Sequence, residues 1–245
     1  MNGSLLIRFL GSAALLCIMT VLTAYAQSSF RTDVIRTAGG DLKITFIGHG
    51  TLMFEYSGKV IDADPVSMYA DFSTLPKADL ILITHEHGDH LDVKAIQAVK
   101  TPSTTIIINP GSAKTLSDAT VMRNGETKTV AGITIEAVPA YNPEKQQFHP
   151  KGNGNGYVLA FGDKRVFVAG DTENVPEIKA LKNIDVAFLP MNLPFTMTPE
   201  QVADVAKAMR PKILYPYHYG NTDPQLLVNL LKDEKGIEVR VRNMR

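Results

Sequence analysis

The chain has 245 residues, 25 basic and 25 acidic side chains, and 44% hydrophobic residues. A chain this apolar and this balanced is neither a disordered polypeptide nor one built to coat an anionic polymer, so no nucleic-acid partner is expected. Its single cysteine excludes an internal disulfide and a thiolate-rich metal site.

Near the amino terminus Arg8 precedes an apolar run over residues 9–22, followed by the small-residue end Ala24-Tyr25-Ala26. That is the pattern of a secretory signal peptide spanning 1–26. It predicts a periplasmic or secreted protein with no stable membrane association after cleavage. An uncleaved anchor is the alternative, because the run just reaches across a bilayer. Cleavage removes the only cysteine, Cys17, so any metal in the mature chain is held by histidine and carboxylate. Residues 27–40 are polar, end in Ala38-Gly39-Gly40 and read as a loose lead-in to one domain over 41–245.

Residues 41–47 alternate with period two, as a half-buried strand does, and Gly48-His49-Gly50 is a turn. Two further strands, 51–56 and 59–64, meet at Ser57-Gly58, and a loop over 66–78 follows. The apolar run 80–83 reads as a buried strand that empties into His85-Glu86-His87-Gly88-Asp89-His90. A helix is predicted over 92–100, with Asp92 as its cap and Val93, Ile96 and Val99 on one face. Another strand covers 104–109, and two short ones lie within 121–137. Residues 138–142 end a strand ahead of a polar loop that carries His149 and the Gly152-x-Gly154-x-Gly156 repeat. The repeat precedes a strand instead of opening a helix, so it lacks phosphate-binding geometry and is expected to let the loop fold tightly.

A hairpin over 157–161 and 165–169 leads to Gly170-Asp171-Thr172. The strand 184–189 is followed by the apolar loop 191–197, a candidate substrate wall. Thr198-Pro199-Glu200 opens a helix with a cap and a first-turn proline. The strand 212–215 delivers His218, and a helix over 223–232 and an edge strand over 237–241 close the chain.

Imidazole and carboxylate are ligands that zinc and its neighbours accept. The His-x-His-x-Asp-His order of residues 85–90 resembles the signature of the metallo-β-lactamase fold superfamily, and Gly170-Asp171-Thr172 and His218 resemble its later ligands. Antiparallel strands first and strand–helix units after them, in two similar halves, suggest its α/β fold, a four-layer αββα sandwich. The resemblance implies two metal ions, Zn2+ with Mn2+ or Fe as alternatives. His85 and His87 would serve one ion, Asp89, His90 and His218 the other, and Asp171 would lie between them.

Most members of the superfamily carry a third histidine for the first ion where this chain has Asn142. His149, the only unassigned histidine nearby, takes that role in our reading, with Asn142 or a water as the alternative. His49 is either a rim residue or a structural turn histidine. The implied activity is hydrolysis of a small ester, lactone or phosphodiester by a metal-activated water, with Asp89 orienting the nucleophile or handing on its proton. A β-lactam hydrolase, a diiron redox protein and a non-catalytic metal-binding module are the competing readings. Relatives of the diiron kind usually carry Glu at the position of His87.

Overall fold

The computed structural model describes residues 30–244, so the segment read as a signal peptide lies outside the described residues. Short glycine turns and period-two alternation fold the first half into an antiparallel meander. It comprises β1 (Arg31–Thr37), β2 (Gly40–Gly48), β3 (Thr51–Tyr56) and β4 (Lys59–Ala63). Three strands then add in parallel: β5 (Leu80–Ile83), β6 (Thr105–Ile108) and β7 (Thr120–Val121). Helix α1 (Val93–Val99) makes the crossover from β5 to β6. Asp92 caps it by accepting from the backbone N–H groups of Lys94 and Ala95.

The second half repeats this plan. Strands β8 (Thr127–Val130), β9 (Ile133–Ala140), β10 (Gly154–Phe161) and β11 (Lys164–Val168) are antiparallel. Strands β12 (Val186–Pro190), β13 (Ile213–Tyr217) and β14 (Glu238–Val239) extend the sheet in parallel. Helices α2 (Pro176–Lys179), α3 (Pro199–Met209) and α4 (Pro224–Leu231) complete this half. Thr198 and Gln201 form a reciprocal capping box at the start of α3. Each sheet has seven strands in sequence order from one edge to the other.

One apolar core lies between the sheets, where Phe46, Phe54, Leu80 and Leu82 meet Tyr157, Leu159, Phe161 and Phe188; the apolar face of α3 also belongs to this cluster. A second core joins the outer face of the first sheet to α1 through Met53, Ile81, Ile83, Ile96 and Val99. The architecture is therefore the expected αββα sandwich. Among the described residues no helix is long and apolar enough to cross a membrane.

Two sequence expectations need correction, and one short helix was not foreseen. The polar lead-in holds β1, an edge strand paired with β2 from Arg31↔Phe46 to Thr37↔Gly40. Backbone bonding and the ion pair of Asp33 with Arg242 hold it, so it needs no apolar alternation. Helix α2 has four residues, too few to show a period. Gly154 and Gly156 lie inside β10, not in the loop. A Cβ on Gly154 would stand 2.8 Å from the carbonyl oxygen of Ala140, so the repeat serves close strand pairing.

Alternation also puts Asp62 on the outer face of β4, opposite Met53 and Ile81, where the α1 layer covers it. It is 1% exposed, and neither carboxylate oxygen meets a hydrogen-bond partner among the described residues. Burial raises its pKa to about 7. The folded chain therefore keeps this proton up to about pH 7, while an unfolded aspartate loses it near ~4. Folding stability should fall between those values as pH rises, then level off. Asp62→Asn should raise the Tm of metal-free protein at pH 8 and change it little at pH 4. Equal shifts at both pH values in thermal melts would show that Asp62 is not the protonated group.

Candidate metal centre

Every candidate ligand projects from one rim of the sandwich, where strands end and loops are free to converge. His49 is in the β2–β3 turn and Asp64 follows β4. His85, His87, Asp89 and His90 occupy the β5–α1 loop, His149 the β9–β10 loop, and Asp171 and His218 follow β11 and β13. His49, Asp64 and His218 all have left-handed backbone, with φ of 54°, 46° and 45°. Gly50, beside His49, leaves room for His90, since a Cβ there would lie 2.8 Å from Cε1 of that ring.

The structure brings the predicted residues together as two groups linked by a third, His85, His90 and Asp171. Donor atoms of His85, His87 and His149 lie within 4.8 Å of one another, and so do those of His49, Asp89, His90 and His218. Asp171 sits between the groups. Its Oδ2 is 3.3 Å from His149 Nε2 and 3.5 Å from His218 Nε2, and its Oδ1 is 3.5 Å from His90 Nε2. His85 Nε2 is 3.1 Å from His87 Nδ1, and Asp89 Oδ2 is 3.5 Å from His218 Nε2.

These spacings fit a cation site. Two donors bound at about 2.1 Å to one ion stand roughly 3.0 Å apart at a right angle and about 3.4 Å apart at the tetrahedral angle. Buried polar atoms normally find a partner. Here His90 Nε2, Asp171 Oδ1 and both ring nitrogens of His149 and of His218 meet none in hydrogen-bonding geometry. Acceptor nitrogens and carboxylate oxygens turned toward one another are stable around a positive charge.

Behind the donors lies a support that sequence reading missed. Asp64 is fully buried, and its Oδ2 accepts from His90 Nδ1 (2.7 Å) and from the Thr84 hydroxyl (2.7 Å), while its Oδ1 accepts from the Thr84 N–H (2.8 Å). With its proton given to Asp64, the Thr84 hydroxyl accepts from His85 Nδ1 at 3.1 Å. One carboxylate and one hydroxyl thereby turn the Nε2 atoms of His85 and His90 into the site. Asn142 is buried in the β9–β10 loop with His149, and its side-chain oxygen meets no hydrogen-bond partner among the described residues. Its amide donates to the carbonyl of Phe195 (2.7 Å), and its N–H donates to the carbonyl of His149 (2.8 Å).

The electrostatics agree. Burial, aided by the neighbouring imidazoles, holds His85 well below its usual value, and burial also lowers His87 and His218, leaving neutral rings able to ligate. Burial also opposes a charge on His90, but Asp171, Asp64 and Asp89 outweigh it and raise this ring to about 9. Burial would lift Asp171 and Asp89. The imidazoles of His218 and His90 overcome it for Asp171, and the neighbouring imidazoles of His218 and His49 do so for Asp89, so both carboxyls stay below the usual range.

A cavity of about 310 Å³ opens onto both groups, lined by His87, Asp89, His149, Asp171, Asn192, Phe195 and Phe148. The rings of Phe148 and Phe195 meet edge to face with centroids 5.0 Å apart.

The family profile described as a beta-lactamase superfamily domain matches residues 43–218, which include every grouped donor. The chain belongs to the beta-lactamase superfamily. Within that superfamily it is similar to the UPF0173 metal-dependent hydrolase of Thermococcus kodakarensis. The two are 31% identical over 195 residues, 75% of this chain and 87% of the relative. A crystal structure from Parabacteroides distasonis, described as a candidate metal-dependent hydrolase, shares 54% identity with a TM-score of 0.86. It covers 89% of this chain and 100% of its own. Igni18, a metallo hydrolase from Ignicoccus hospitalis, shares the superfamily fold at 23% identity with a TM-score of 0.69 over 82% of this chain and 95% of its own.

Supports of this kind typically change metal affinity by about 10–100-fold when removed. Asp64→Asn should weaken metal binding by at least about tenfold, read by competition with a chromogenic chelator. Asn142→Ala should leave metal content unchanged, whereas His149→Ala should reduce it. The reverse pattern would return the third-ligand role to Asn142.

Proposed function

We propose that this superfamily member is an exported hydrolase that uses two divalent transition ions, zinc foremost, on a small ester, lactone or phosphodiester. The observation that supports this reading best is the pair of donor groups with Asp171 close to histidines of both, beside an open cavity. Such ions, when bound, lower the pKa of water toward neutrality and polarise the oxygen of the bond to be cleaved. His85, His87 and His149 would hold one ion and Asp89, His90 and His218 the other, with Asp171 reaching both.

Asp89 is 43% exposed at its side chain and lines the cavity, while His49 and His218 fix its Oδ2 side. Asp89 would orient the attacking water or hand on its proton. Phe148 and Phe195 offer an apolar wall for the acyl or ring portion of a substrate, and Asn142 holds the Phe195 backbone in place. The cavity lining among the described residues contains no lysine or arginine to pair with an anionic tail. That lining favours neutral esters and lactones over phosphodiesters. Export rests on the signal-peptide pattern of residues 1–26, and a small molecule is the partner this cavity suits.

The test is hydrolysis of a panel holding an aryl ester, a lactone, a phosphodiester and a β-lactam, with metal content measured in parallel. Turnover of an ester or lactone that chelation abolishes is the expected result. Turnover of the β-lactam alone would replace the proposal, and full metal loading without turnover of any member would favour a binding module. Asp89→Asn at full loading should lower kcat by at least about a hundredfold. Phe195→Ala should raise KM for an ester with an apolar acyl group by about tenfold, with kcat little changed.

A further inference from the structure

The repeated plan of the two halves puts His49 in a new light. In each half the second and third strands are joined by a loop at the rim. That loop is the β2–β3 turn in one half and the β9–β10 loop in the other. His149 comes from the second of these and His49 from the first, one beside each donor group. The fourth strand of each half likewise ends in a buried aspartate at this rim, Asp64 and Asp171.

The geometry points to His49 as a metal donor of the second group, which would then have four mutually close protein donors, His49, Asp89, His90 and His218, against three, His85, His87 and His149, in the first. His49 Nε2 lies 3.1 Å from Asp89 Oδ2 and its ring centroid is 3.7 Å from that of His218, so the ring faces the cluster and not solvent. Its backbone carbonyl accepts from the N–H of His218 (3.0 Å), and Tyr69 stacks on its outer face at 5.4 Å. Both contacts fix the ring from outside and leave Nε2 directed inward.

Around Asp89 Oδ2 the nitrogens of His49, His218 and His90 stand at 3.1, 3.5 and 4.0 Å. An octahedron with bonds of about 2.1 Å has edges of roughly 3.0 Å and diagonals of roughly 4.2 Å. All three spacings fall between that edge and that diagonal, so one ion can reach His49 together with Asp89, His90 and His218.

The inference rests on the two-ion reading of the site but not on hydrolysis. Metal-free wild type, His49→Ala, His49→Asn and His149→Ala would be titrated with Zn2+ and separately with Mn2+ by calorimetry. Bound ions would be counted by mass spectrometry. Asparagine tolerates left-handed backbone, so the second variant guards against a loss that merely reflects misfolding. The expected result is two ions in wild type. Both His49 variants should keep one ion at wild-type affinity and weaken the other by at least tenfold. His149→Ala should weaken the opposite ion. Two ions bound at unchanged affinity in both His49 variants would overturn the inference and leave His49 as a hydrogen-bond partner of Asp89, whatever happens to the rate. A wild type that binds two ions and turns over nothing would sink the hydrolase reading alone, because the ion counts still decide the role of His49.

Discussion

Imidazole nitrogens and carboxylate oxygens turned on one another, at distances that only a positive charge makes comfortable, set the terms for the rest of this molecule. Side chains cannot be held that way by a mobile rim. The seven-stranded sheets supply rigid strand ends. Asp64 and Thr84 supply the hydrogen bonds that choose which nitrogen of each ring faces inward. Gly50 supplies the close approach that lets His90 lie against the β2–β3 turn. Asp64, Thr84 and Gly50 are not among the residues lining the cavity, yet each is a condition for the site.

The duplicated plan is not carried through to equal function. In the first half the loop after the fifth strand bears four donors, His85, His87, Asp89 and His90. Its counterpart after β12 bears none of the grouped donors and instead presents Asn192 and Phe195 to the cavity. One half thus carries most of the charge-binding chemistry, while the other brings bridging and closing ligands together with the apolar wall. Asn142 belongs to this division of labour. It stands where the superfamily pattern expects a histidine, and in this chain it ties the wall to the loop of His149.

What the sequence disclosed follows from how locally each signal is written. The motif at 85–90 is contiguous, and Asp171 and His218 each end an apolar strand, so all three were legible. The position of His149 depends on how a long polar loop folds back, which spacing alone leaves open. Asp64 looked like an ordinary turn residue before a proline, because nothing in the sequence shows that its carboxylate reaches a histidine 26 positions away. Nothing local to Asp62 shows that it will be buried under α1, which is a tertiary fact. The β1 strand was missed because an edge strand held by backbone pairing and an ion pair carries no apolar period.

The left-handed backbone at His49, Asp64 and His218 has a bearing on how such a chain changes over generations. Each position costs roughly 1–3 kcal/mol relative to relaxed geometry, and glycine would relieve that cost. Selection for heat resistance alone would therefore erode this rim first, since the substitutions that steady the fold there delete a donor or its support. Retention of histidine and aspartate at all three places in a lineage is a record of chemistry being used. Their drift to glycine, with the sheets intact, would mark a descendant that has kept the shape and abandoned the reaction.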